Sequence, residues 1–188
     1  MSPKKGMAMT ADKYPIRRIE ELRLTDDLEA GIAALLSDCM SLDYKGRSFF
    51  QNRFHCRFHV EHDGTSIGHL AIAHRTIRLG KELVDIVGIG EVAVAKAYRH
   101  QGIGNRLVAA ALEEGRTARA DFAALFGEKS MYAGAGFVHA PNRLTLSEME
   151  GARTGFMVRE FNDHFMICPL SKRKWNNDVL VDLAGFPF

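Results

Sequence analysis

Two stretches of the chain carry apolar residues at helical spacing. The first, TDDLEAGIAALLSDCM at residues 25–40, opens with Thr25 as a candidate N-cap and has acidic residues in its first turn. Its apolar residues stand three or four positions apart: Leu28, Ile32, Leu35, Leu36 and Met40. The second stretch begins after the glycine pair in AVAKAYRHQGIGN. We predict an amphipathic helix over each stretch, the second at residues 104–118.

Alternating or continuously apolar stretches predict the strands. Residues 15–23 alternate, and residues 54–95 read as three successive strands interrupted at HDGT and RLGKE, both typical turn sequences. Further along, DFAALFG predicts a short buried strand, EKSMYAGAG a brief helix, FVHA another strand, and GFMVREFNDHFMICPL a last long strand at residues 155–170. This order indicates an α+β (mixed α/β) fold. We expect a mostly antiparallel central sheet of about six to seven strands, covered by helices on both faces.

Composition and charge narrow the class of protein. With 188 residues, 46% of them hydrophobic and 26% charged, the chain resembles one soluble domain. We expect a flexible N-terminal arm at residues 1–13 and a single domain at residues 14–188. The net charge of +2 is too small to favour nucleic-acid binding, and no apolar run approaches the roughly 20 residues that span a bilayer. Three widely spaced cysteines argue against a disulfide framework, so we expect a cytoplasmic protein.

The turn before the second helix has the chemistry of a phosphate site. A helix N-terminus carries unpaired backbone N–H groups and a partial positive charge, and phosphate satisfies both. Gly102 and Gly104 remove side chains from this turn, and Arg99 adds a guanidinium. Leu107 stands where a Rossmann fingerprint needs a third small residue, and no P-loop sequence is present. The prediction is a diphosphate site; the alternative is that the glycines only permit a tight turn.

Two motifs resemble those of a known family. The segment VAVAKAYRHQGIGNRLV resembles the signature of the GNAT superfamily of acetyl-coenzyme-A-dependent N-acetyltransferases. Five residues match that signature in order: Val92, Val94, Arg99, Gly102 and Gly104. The segment MYAGAGF resembles the family's second motif, with matches at Tyr132, Gly136 and Phe137. The sequence departs from the usual signature at Lys96, in place of a proline, and at His100, in place of a glycine. The resemblance extends over residues 15–170.

The resemblance implies acetyl-coenzyme A (acetyl-CoA) as co-substrate, with no metal. Its pantetheine arm is expected along the strand at Val92, Ala93 and Val94. Backbone N–H groups of the following turn are expected around the diphosphate, and the residues concerned are His100, Gln101, Gly102, Ile103, Gly104 and Asn105. Tyr132 matches a tyrosine that lies near the coenzyme sulfur in many relatives, where a phenol can protonate the departing thiolate. The alternative for Tyr132 is a core tyrosine.

Glu91 is the candidate general base. It interrupts an otherwise apolar strand immediately before the residues expected to bind the coenzyme, where an unpaired carboxylate would be costly. There it could accept a proton from the substrate ammonium, directly or through water. The alternative is a carboxylate that is salt-bridged or exposed on the sheet.

The histidine-rich segment HCRFHVEH suggests a metal site, but strand alternation predicts otherwise. Phe54, Cys56, Phe58 and Val60 would share one apolar face, and the opposite face, which we expect to be wet, would carry His55, Arg57, His59 and Glu61. His55 and His59 could be a ligand pair. No closing cluster stands elsewhere in the sequence, so we predict no metal site.

Three further groups have two interpretations each. His69 and His74 are expected to be ordinary surface or core histidines, since their opposite parity lets at most one face an acceptor cleft. Phe49, Phe50 and Phe54 could form an apolar acceptor wall or belong to the core. The cluster of Lys172, Arg173 and Lys174 is expected to be a solvated face, with the coenzyme's 3′-phosphate as the alternative partner.

These features predict an enzyme that transfers an acetyl group from acetyl-CoA to a primary amine of a small molecule by direct attack on the thioester. Residues 68–94 resemble, more weakly, aminoglycoside 2′-N-acetyltransferases and rhizobial nodulation N-acyltransferases, which implies an amino-sugar acceptor. The alternatives are a non-catalytic acyl-CoA-binding sensor or interaction module, and a nucleotide-binding regulator. We expect neither nucleic acid nor membrane as a partner, and the last strand and tail could pair in a homodimer.

Overall fold

A computed structural model describes residues 12–40, 44–49, 53–150, 153–159 and 163–188. Residues 1–11 of the predicted arm, and Phe50 of the predicted acceptor wall, lie outside the described residues. The helices and strands in chain order are β1 (Ile16–Glu20), α1 (Asp26–Cys39), β2 (Cys56–His62), β3 (Thr65–Leu79), β4 (Glu82–Val94), α2 (Ile103–Thr117), β5 (Phe122–Phe126), α3 (Lys129–Tyr132), β6 (Val138–His139), β7 (Leu144–Glu150), β8 (Arg153–Arg159), β9 (Phe165–Pro169) and β10 (Val181–Asp182).

The described strands form one ten-stranded sheet. Eight of them follow the order β6-β9-β5-β4-β3-β10-β7-β8, and β2 and then β1 branch from β3. The β4–β5 and β10–β7 pairs are parallel, and the other pairs in the described part of the sheet are antiparallel. The predicted α+β fold with a mostly antiparallel sheet is therefore confirmed, although the sheet has ten strands instead of six or seven.

The predicted strand over residues 155–170 is wrong, because the segment is divided between two parts of the sheet. Its first part belongs to β8, which pairs with β7, and its second part to β9, which pairs with β5 and β6. The predicted first strand is also shortened, since Glu21–Arg23 form a 3-10 turn. The C-terminal tail, for which pairing with a second subunit is one expectation, contributes β10 to the sheet of its own chain.

The two longer helices lie on opposite faces of the sheet. Val92 and Val94 pack with the core that α2 covers, whereas Ala93 packs with Ile32 and Leu36 of α1. Alternate residues of a strand point to opposite faces, so this division places α1 and α2 on different sides of β4. Both predicted helices are confirmed to within one or two residues at their ends, and Thr25 caps α1 by accepting a hydrogen bond from the N–H of Leu28 at 3.4 Å.

The wet face predicted for β2 is wrong for Arg57 and His59, which are fully buried, whereas His55 and Glu61 are exposed as predicted. β2 lies between β1 and β3, so its main chain is interior to the sheet. The carbonyl of Ser48 covers Arg57, and His59 bonds to the hydroxyl of Ser66 at 2.8 Å. The alternation is regular, but the segment before β2 and helix α1 close over the side that would otherwise meet water.

The three cysteines are free thiols, with Cys56 and Cys168 buried and Cys39 partly exposed. Within the described ranges, no group of three or more His, Cys, Asp or Glu side chains is placed to hold a metal ion. None of the helices described has the length and apolarity that crossing a membrane requires.

Candidate active site

The sheet opens where β4 and β5 part. These parallel strands pair from Ile86 with Phe122 as far as Ile89 with Leu125. β5 ends one residue later, at Phe126, but β4 continues to Val94 while paired with β3. The edge of β4 beyond Ile89 therefore has no strand partner on the β5 side in the described structure. Such an edge presents backbone donors and acceptors that an extended ligand can pair with.

A cleft of about 520 Å³ lies along this open edge and ends at the N-terminus of α2. Nine of the ten residues predicted to hold the coenzyme line it: Val92, Ala93, Val94, Arg99, His100, Gly102, Ile103, Gly104 and Asn105. Gln101 does not line the cleft, since its side-chain amide turns back to the carbonyl of Ala97 at 3.4 Å. Cys39, Tyr98 and Met131 also line it and were not predicted.

The turn that closes the cleft is shaped by two left-handed residues. Gly102, the N-cap of α2, has φ +78°, and His100 has φ +61°. Left-handed residues in such a turn curl successive N–H groups into a concave anion site. No side chain caps the helix N-terminus, so the first backbone donors of α2 are open to a bound anion. A Cβ at Gly102 would meet nothing within 4 Å, so its backbone conformation, not crowding, favours glycine there.

Arg99 and Cys39 converge on the last carbonyl of β4. The Arg99 Nε donates to the oxygen of Val94 at 3.1 Å, and the Cys39 thiol donates to the same oxygen at 3.5 Å. The first bond fixes the exposed guanidinium beside the α2 N-terminus, where its charge adds to the positive end of the helix. Arg99 thus lies in the cleft beside the N-terminus of α2.

Glu91 sits in a β-bulge at the start of the open edge. His69 pairs with Ala93 and Ala71 with Gly90, so β4 holds one residue more than β3 between these pairs. Glu91 itself has φ +52°, a strained value for a residue with a side chain. The bulge interrupts the alternation of β4, and the Glu91 carboxylate lies on the α1 side, where the Tyr44 hydroxyl donates to it at 2.8 Å.

The Glu91 carboxylate is partly buried and forms no ion pair with a described residue, which excludes the salt-bridged alternative within those residues. Burial raises its pKa above the ordinary 4.5, and the hydrogen bond from Tyr44 and the charge of Arg57 oppose that rise. A carboxylate with a raised pKa is a stronger base than an exposed one. Its chemistry therefore suits proton removal from an ammonium.

Sequence reasoning missed Tyr44 and the contact of His69 with Glu91. Tyr44 lies in an irregular segment without periodicity, 47 residues from its partner Glu91, so no local signal links the two. His69 is fully buried, and its Nδ1 lies 2.8 Å from the carbonyl oxygen of Glu91. The expected burial of His69 as a core histidine is observed, but its hydrogen bond to the main chain of the bulge was not expected.

Tyr132 is nearly buried at the end of α3. Its ring packs edge-on against Phe137, with centroids 5.9 Å apart, and covers Gly127, where a Cβ would stand 2.5 Å from the ring. Burial raises the pKa of its hydroxyl. The neighbouring Met131 lines the cleft and Tyr132 does not, so the packing by itself fits the alternative of a core tyrosine.

The alternative roles of the basic cluster and of the histidine pair are not supported. Arg173 pairs with Glu82 at 2.7 Å and with Asp121 at 3.0 Å. Glu82 begins β4, whereas the cleft lies at its other end, roughly 40 Å away at about 3.3 Å per residue, too far for the coenzyme's 3′-phosphate. His55 accepts from the main chain of His74 and His59 bonds to Ser66, so the two rings do not converge on a metal.

A second pocket, of about 460 Å³, lies on the face opposite α2. Three consecutive residues, Phe126, Gly127 and Glu128, form part of its wall. The ring of Phe126 also packs against Phe165 in the core on this face of the sheet. The remaining lining residues are Leu146, His164, Pro187 and Phe188. Phe188 of this pocket wall approaches Gly90, where a Cβ would stand 2.7 Å from its carbonyl carbon, and Gly90 directly precedes Glu91.

Comparison with known proteins agrees with these features. The sequence model of the Acetyltransferase (GNAT) family matches residues 19–137. A comparison with curated proteins finds no match to this sequence.

Three solved structures share the fold. A GNAT family N-acetyltransferase from Escherichia coli, in complex with CoA, is 20% identical and has a TM-score of 0.62, with 90% of this chain and 89% of that chain covered. A GNAT family acetyltransferase from Brucella melitensis, in complex with acetyl-CoA, is 20% identical and has a TM-score of 0.57, with 89% and 94% covered. An acyl-CoA N-acyltransferase from Pseudomonas aeruginosa is 17% identical and has a TM-score of 0.55, with 82% and 99% covered.

Proposed function

The chain belongs to the GNAT acetyltransferase family, and we propose that it transfers the acetyl group of acetyl-CoA to a primary amine of a small molecule. One observation carries the proposal: the open edge of β4 and the uncapped N-terminus of α2 meet in a single cleft. An extended arm that ends in a diphosphate matches both halves of that cleft. The glycines at 102 and 104 leave the space that such a ligand needs.

Each part of the cleft has a separate task in binding. The edge at Val92, Ala93 and Val94 pairs with the amide groups of the pantetheine arm. The N–H groups of residues 100–105 and the guanidinium of Arg99 hold the diphosphate. Bound acetyl-CoA supplies an activated thioester.

The transfer requires two protons to leave the acceptor ammonium, one before and one after the attack, and one proton to reach the sulfur. Glu91 takes a proton from the substrate ammonium, directly or through one water, and the free amine then attacks the thioester carbonyl. The new C–N bond forms as the C–S bond breaks, and Tyr132 protonates the departing thiolate. The second proton of the attacking nitrogen leaves through water and restores the Tyr132 hydroxyl. Both roles are proposals: the raised pKa and bulged position of Glu91 support the first, and the family motif supports the second.

The acceptor is proposed to bind in the pocket opposite α2, on the side of the sheet to which the Glu91 carboxylate points. Its wall is mainly apolar, with Phe126, Leu146 and Phe188, and Glu128 contributes a carboxylate at the rim. Such a wall suits an amine with an apolar body better than an amino sugar, whose hydroxyl groups need several polar partners. We therefore propose arylalkylamines and alkylamines ahead of the amino sugars that the weaker resemblance implies.

One observation favours the second candidate, a non-catalytic acyl-CoA sensor. Tyr132 packs into the core and does not line the cleft, as expected if it has no chemical duty. A sensor would bind acetyl-CoA equally well but acetylate nothing.

A thiol-release assay tests both candidates. Acetyl-CoA is supplied with four classes of acceptor: arylalkylamines, polyamines, aminoglycosides and peptide N-termini. The proposal expects thiol release and N-acetylated product, highest with apolar amines. Binding of acetyl-CoA in calorimetry without turnover on any class would support the sensor, and absence of binding would refute both.

A further inference from the structure

A chain of buried polar groups runs from the first 3-10 turn to the bulge of β4. Glu21 receives two hydrogen bonds from Arg57, at 2.7 and 3.0 Å. Arg57 also donates to the carbonyl of Ser48 at 2.9 Å, and its Nη1 lies 3.4 Å from Nε2 of His69. The other ring nitrogen of His69 lies 2.8 Å from the carbonyl oxygen of Glu91. The chain thus ends on the main chain of the proposed base.

The contacts of His69 select one neutral tautomer. A carbonyl oxygen can only accept, so Nδ1 must carry the proton that it donates to Glu91. A guanidinium can only donate, so Nε2 must be the acceptor of Arg57. A protonated ring would direct an N–H at a buried cation. Burial, and then the charge of Arg57, lower the pKa of His69 to about 3, in keeping with this arrangement.

The position of the contact gives it a consequence beyond packing. Glu91 is one of the few residues with a side chain at positive φ among those described, and the bulge is where its carboxylate leaves the alternation of the strand. A strained main chain persists only when its surroundings hold it. Two hydrogen bonds hold Glu91: Tyr44 binds its side-chain carboxylate, and His69 binds its main-chain carbonyl.

We propose that His69 is a positioning residue, which holds the bulge so that the Glu91 carboxylate faces the split in the sheet and can take the acceptor's proton. Arg57, itself fixed by Glu21, keeps the His69 ring in the required tautomer and orientation. The inference rests on the proposed role of Glu91 as base. His69 contacts neither coenzyme nor acceptor in this scheme and acts only through Glu91.

The charged and titratable groups around this pair are few in the described structure. Tyr44, from the segment before β2, and Arg57, from β2, face Glu91. Arg57 and His59 face His69, and His59 lies directly across the ladder. Loss of the bulge would withdraw the Glu91 carboxylate from Tyr44, whose hydrogen bond lowers the pKa of Glu91. The acid limb of kcat/KM is therefore expected at higher pH when His69 no longer holds the bulge.

Two substitutions and one matched control isolate the contact. His69→Leu removes the donor, whereas His69→Asn keeps an amide N–H near the position of Nδ1. His59→Leu removes an equally buried histidine from the opposite residue of the ladder, where the ring bonds to Ser66 and not to Glu91. We expect His69→Leu to lower kcat by about 10- to 100-fold, with the acetyl-CoA dissociation constant within threefold of the parent's. His69→Asn should recover much of that loss, and His59→Leu should retain kcat and the pH profile.

A double-mutant cycle with Glu91→Gln decides whether His69 acts through Glu91. In the Glu91→Gln background, replacing His69 by Leu should lower kcat by less than a further threefold. An equal loss of activity in both backgrounds, or an unchanged pH profile in His69→Leu, would overturn the inference while leaving Glu91 as base. Wild-type activity in Glu91→Gln would instead refute the proposed base, and His69's role with it. If His69→Leu does not fold, the same cycle is run with His69→Asn. The kcat and pH profile of His69→Asn are then expected to lie between those of the parent and Glu91→Gln. An equal loss of kcat on adding His69→Asn to the parent and to Glu91→Gln would overturn the inference.

Discussion

The ring of Phe188 lies directly over the α-carbon of Gly88, so that a Cβ at position 88 would stand 2.3 Å from the ring. The carbonyl carbon of Phe188 likewise approaches Gly90, where a Cβ would stand 2.7 Å away. Arg75 holds this tail through the carbonyls of Leu183 and Phe186. The glycines in the apolar run GIG therefore admit residues 183–188 to the sheet beside the proposed acceptor pocket.

Gly88→Ala is expected to force the tail off the sheet. Overpacking of this kind costs about 1–3 kcal/mol of unfolding free energy, and the acceptor's KM should rise while acetyl-CoA affinity is retained. Denaturant unfolding and steady-state kinetics measure the two effects. Gly134→Ala is the control, because a Cβ there meets nothing within 4 Å. If Phe188→Ala does not relieve the defect of Gly88→Ala, the contact between the two residues is not its cause.

Gly102→Ala should weaken acetyl-CoA binding by about tenfold, roughly 1.4 kcal/mol, because it disturbs the turn that presents the backbone donors. Gly64→Ala is the matched control. Gly64 has φ +72° and open space around its Cβ position, as Gly102 does, but it lies in the β2–β3 turn. Both variants should lose similar stability, about 1 kcal/mol, and calorimetry should show weaker coenzyme binding in Gly102→Ala alone. Equal affinities would remove the diphosphate site from this turn.

Glu91→Gln is expected to lower kcat by about 10²- to 10⁴-fold without loss of acetyl-CoA binding. The base acts unprotonated, so kcat/KM of the parent should fall as pH drops through the pKa of Glu91, which burial raises above 4.5. Tyr44→Phe removes a hydrogen bond that lowers this pKa, and the acid limb should move to higher pH. An acid limb of kcat/KM that moves to lower pH in Tyr44→Phe, or does not move, would contradict the assignment of Glu91 as the base.

Tyr132→Phe discriminates the acid from the core tyrosine. If the phenol protonates the thiolate, kcat should fall by about 10²-fold or more, with unfolding free energy and coenzyme affinity close to those of the parent, since the ring and its packing on Phe137 remain. Phe137→Leu serves as the packing control, with a loss of stability and a smaller change in kcat. Unchanged turnover in Tyr132→Phe assigns the residue to the core.

The buried Glu21–Arg57 pair should dominate the stability of this region. Arg57→Met leaves Glu21 buried with only Arg53 as an ionic partner among the described residues, and should cost about 3–5 kcal/mol of unfolding free energy. Arg18→Met, in an exposed pair with Glu20 and Glu114, should cost about 0–1 kcal/mol.

The same pair predicts a pH dependence of stability. Burial alone would raise the pKa of Glu21, but the bonds and charges of Arg57 and Arg53 bring it below 4.5. A carboxylate with a depressed folded pKa stabilises above the unfolded value, and that contribution is lost as pH falls through the folded one. Urea melts between pH 5 and pH 2 should therefore show a steeper loss in the parent than in Glu21→Gln. Parallel curves would contradict the depressed pKa.

The sequence predicts those parts of the site that are formed by a single continuous segment. The segment from Val92 to Asn105 contains the end of β4, the two glycines and the start of α2, and nine of its residues that were predicted to hold the coenzyme line the cleft. The position of Tyr44 depends on how an irregular segment closes over the sheet, and the contact of His69 depends on the register of two strands across a bulge. Neither dependence leaves a periodic signal in the chain.

Alternation also failed to predict what covers a face. It placed Arg57 and His59 correctly on one side of β2, but that side is covered by residues outside the strand, so both side chains are buried. The strand predicted at residues 155–170 failed for a related reason, since β-strand propensity does not show where a chain leaves one partner for another.

The parting of β4 from β5 has a kinetic consequence. The cleft runs along the open edge to the N-terminus of α2, and the apolar pocket lies on the face opposite α2, so the proposed donor and acceptor sites can be filled from separate directions and occupied together. Neither must depart before its counterpart arrives. Initial-rate plots at several fixed concentrations of the second reactant should accordingly intersect, whereas a parallel family of lines would mean that an acylated protein intermediate carries the group between two half-reactions.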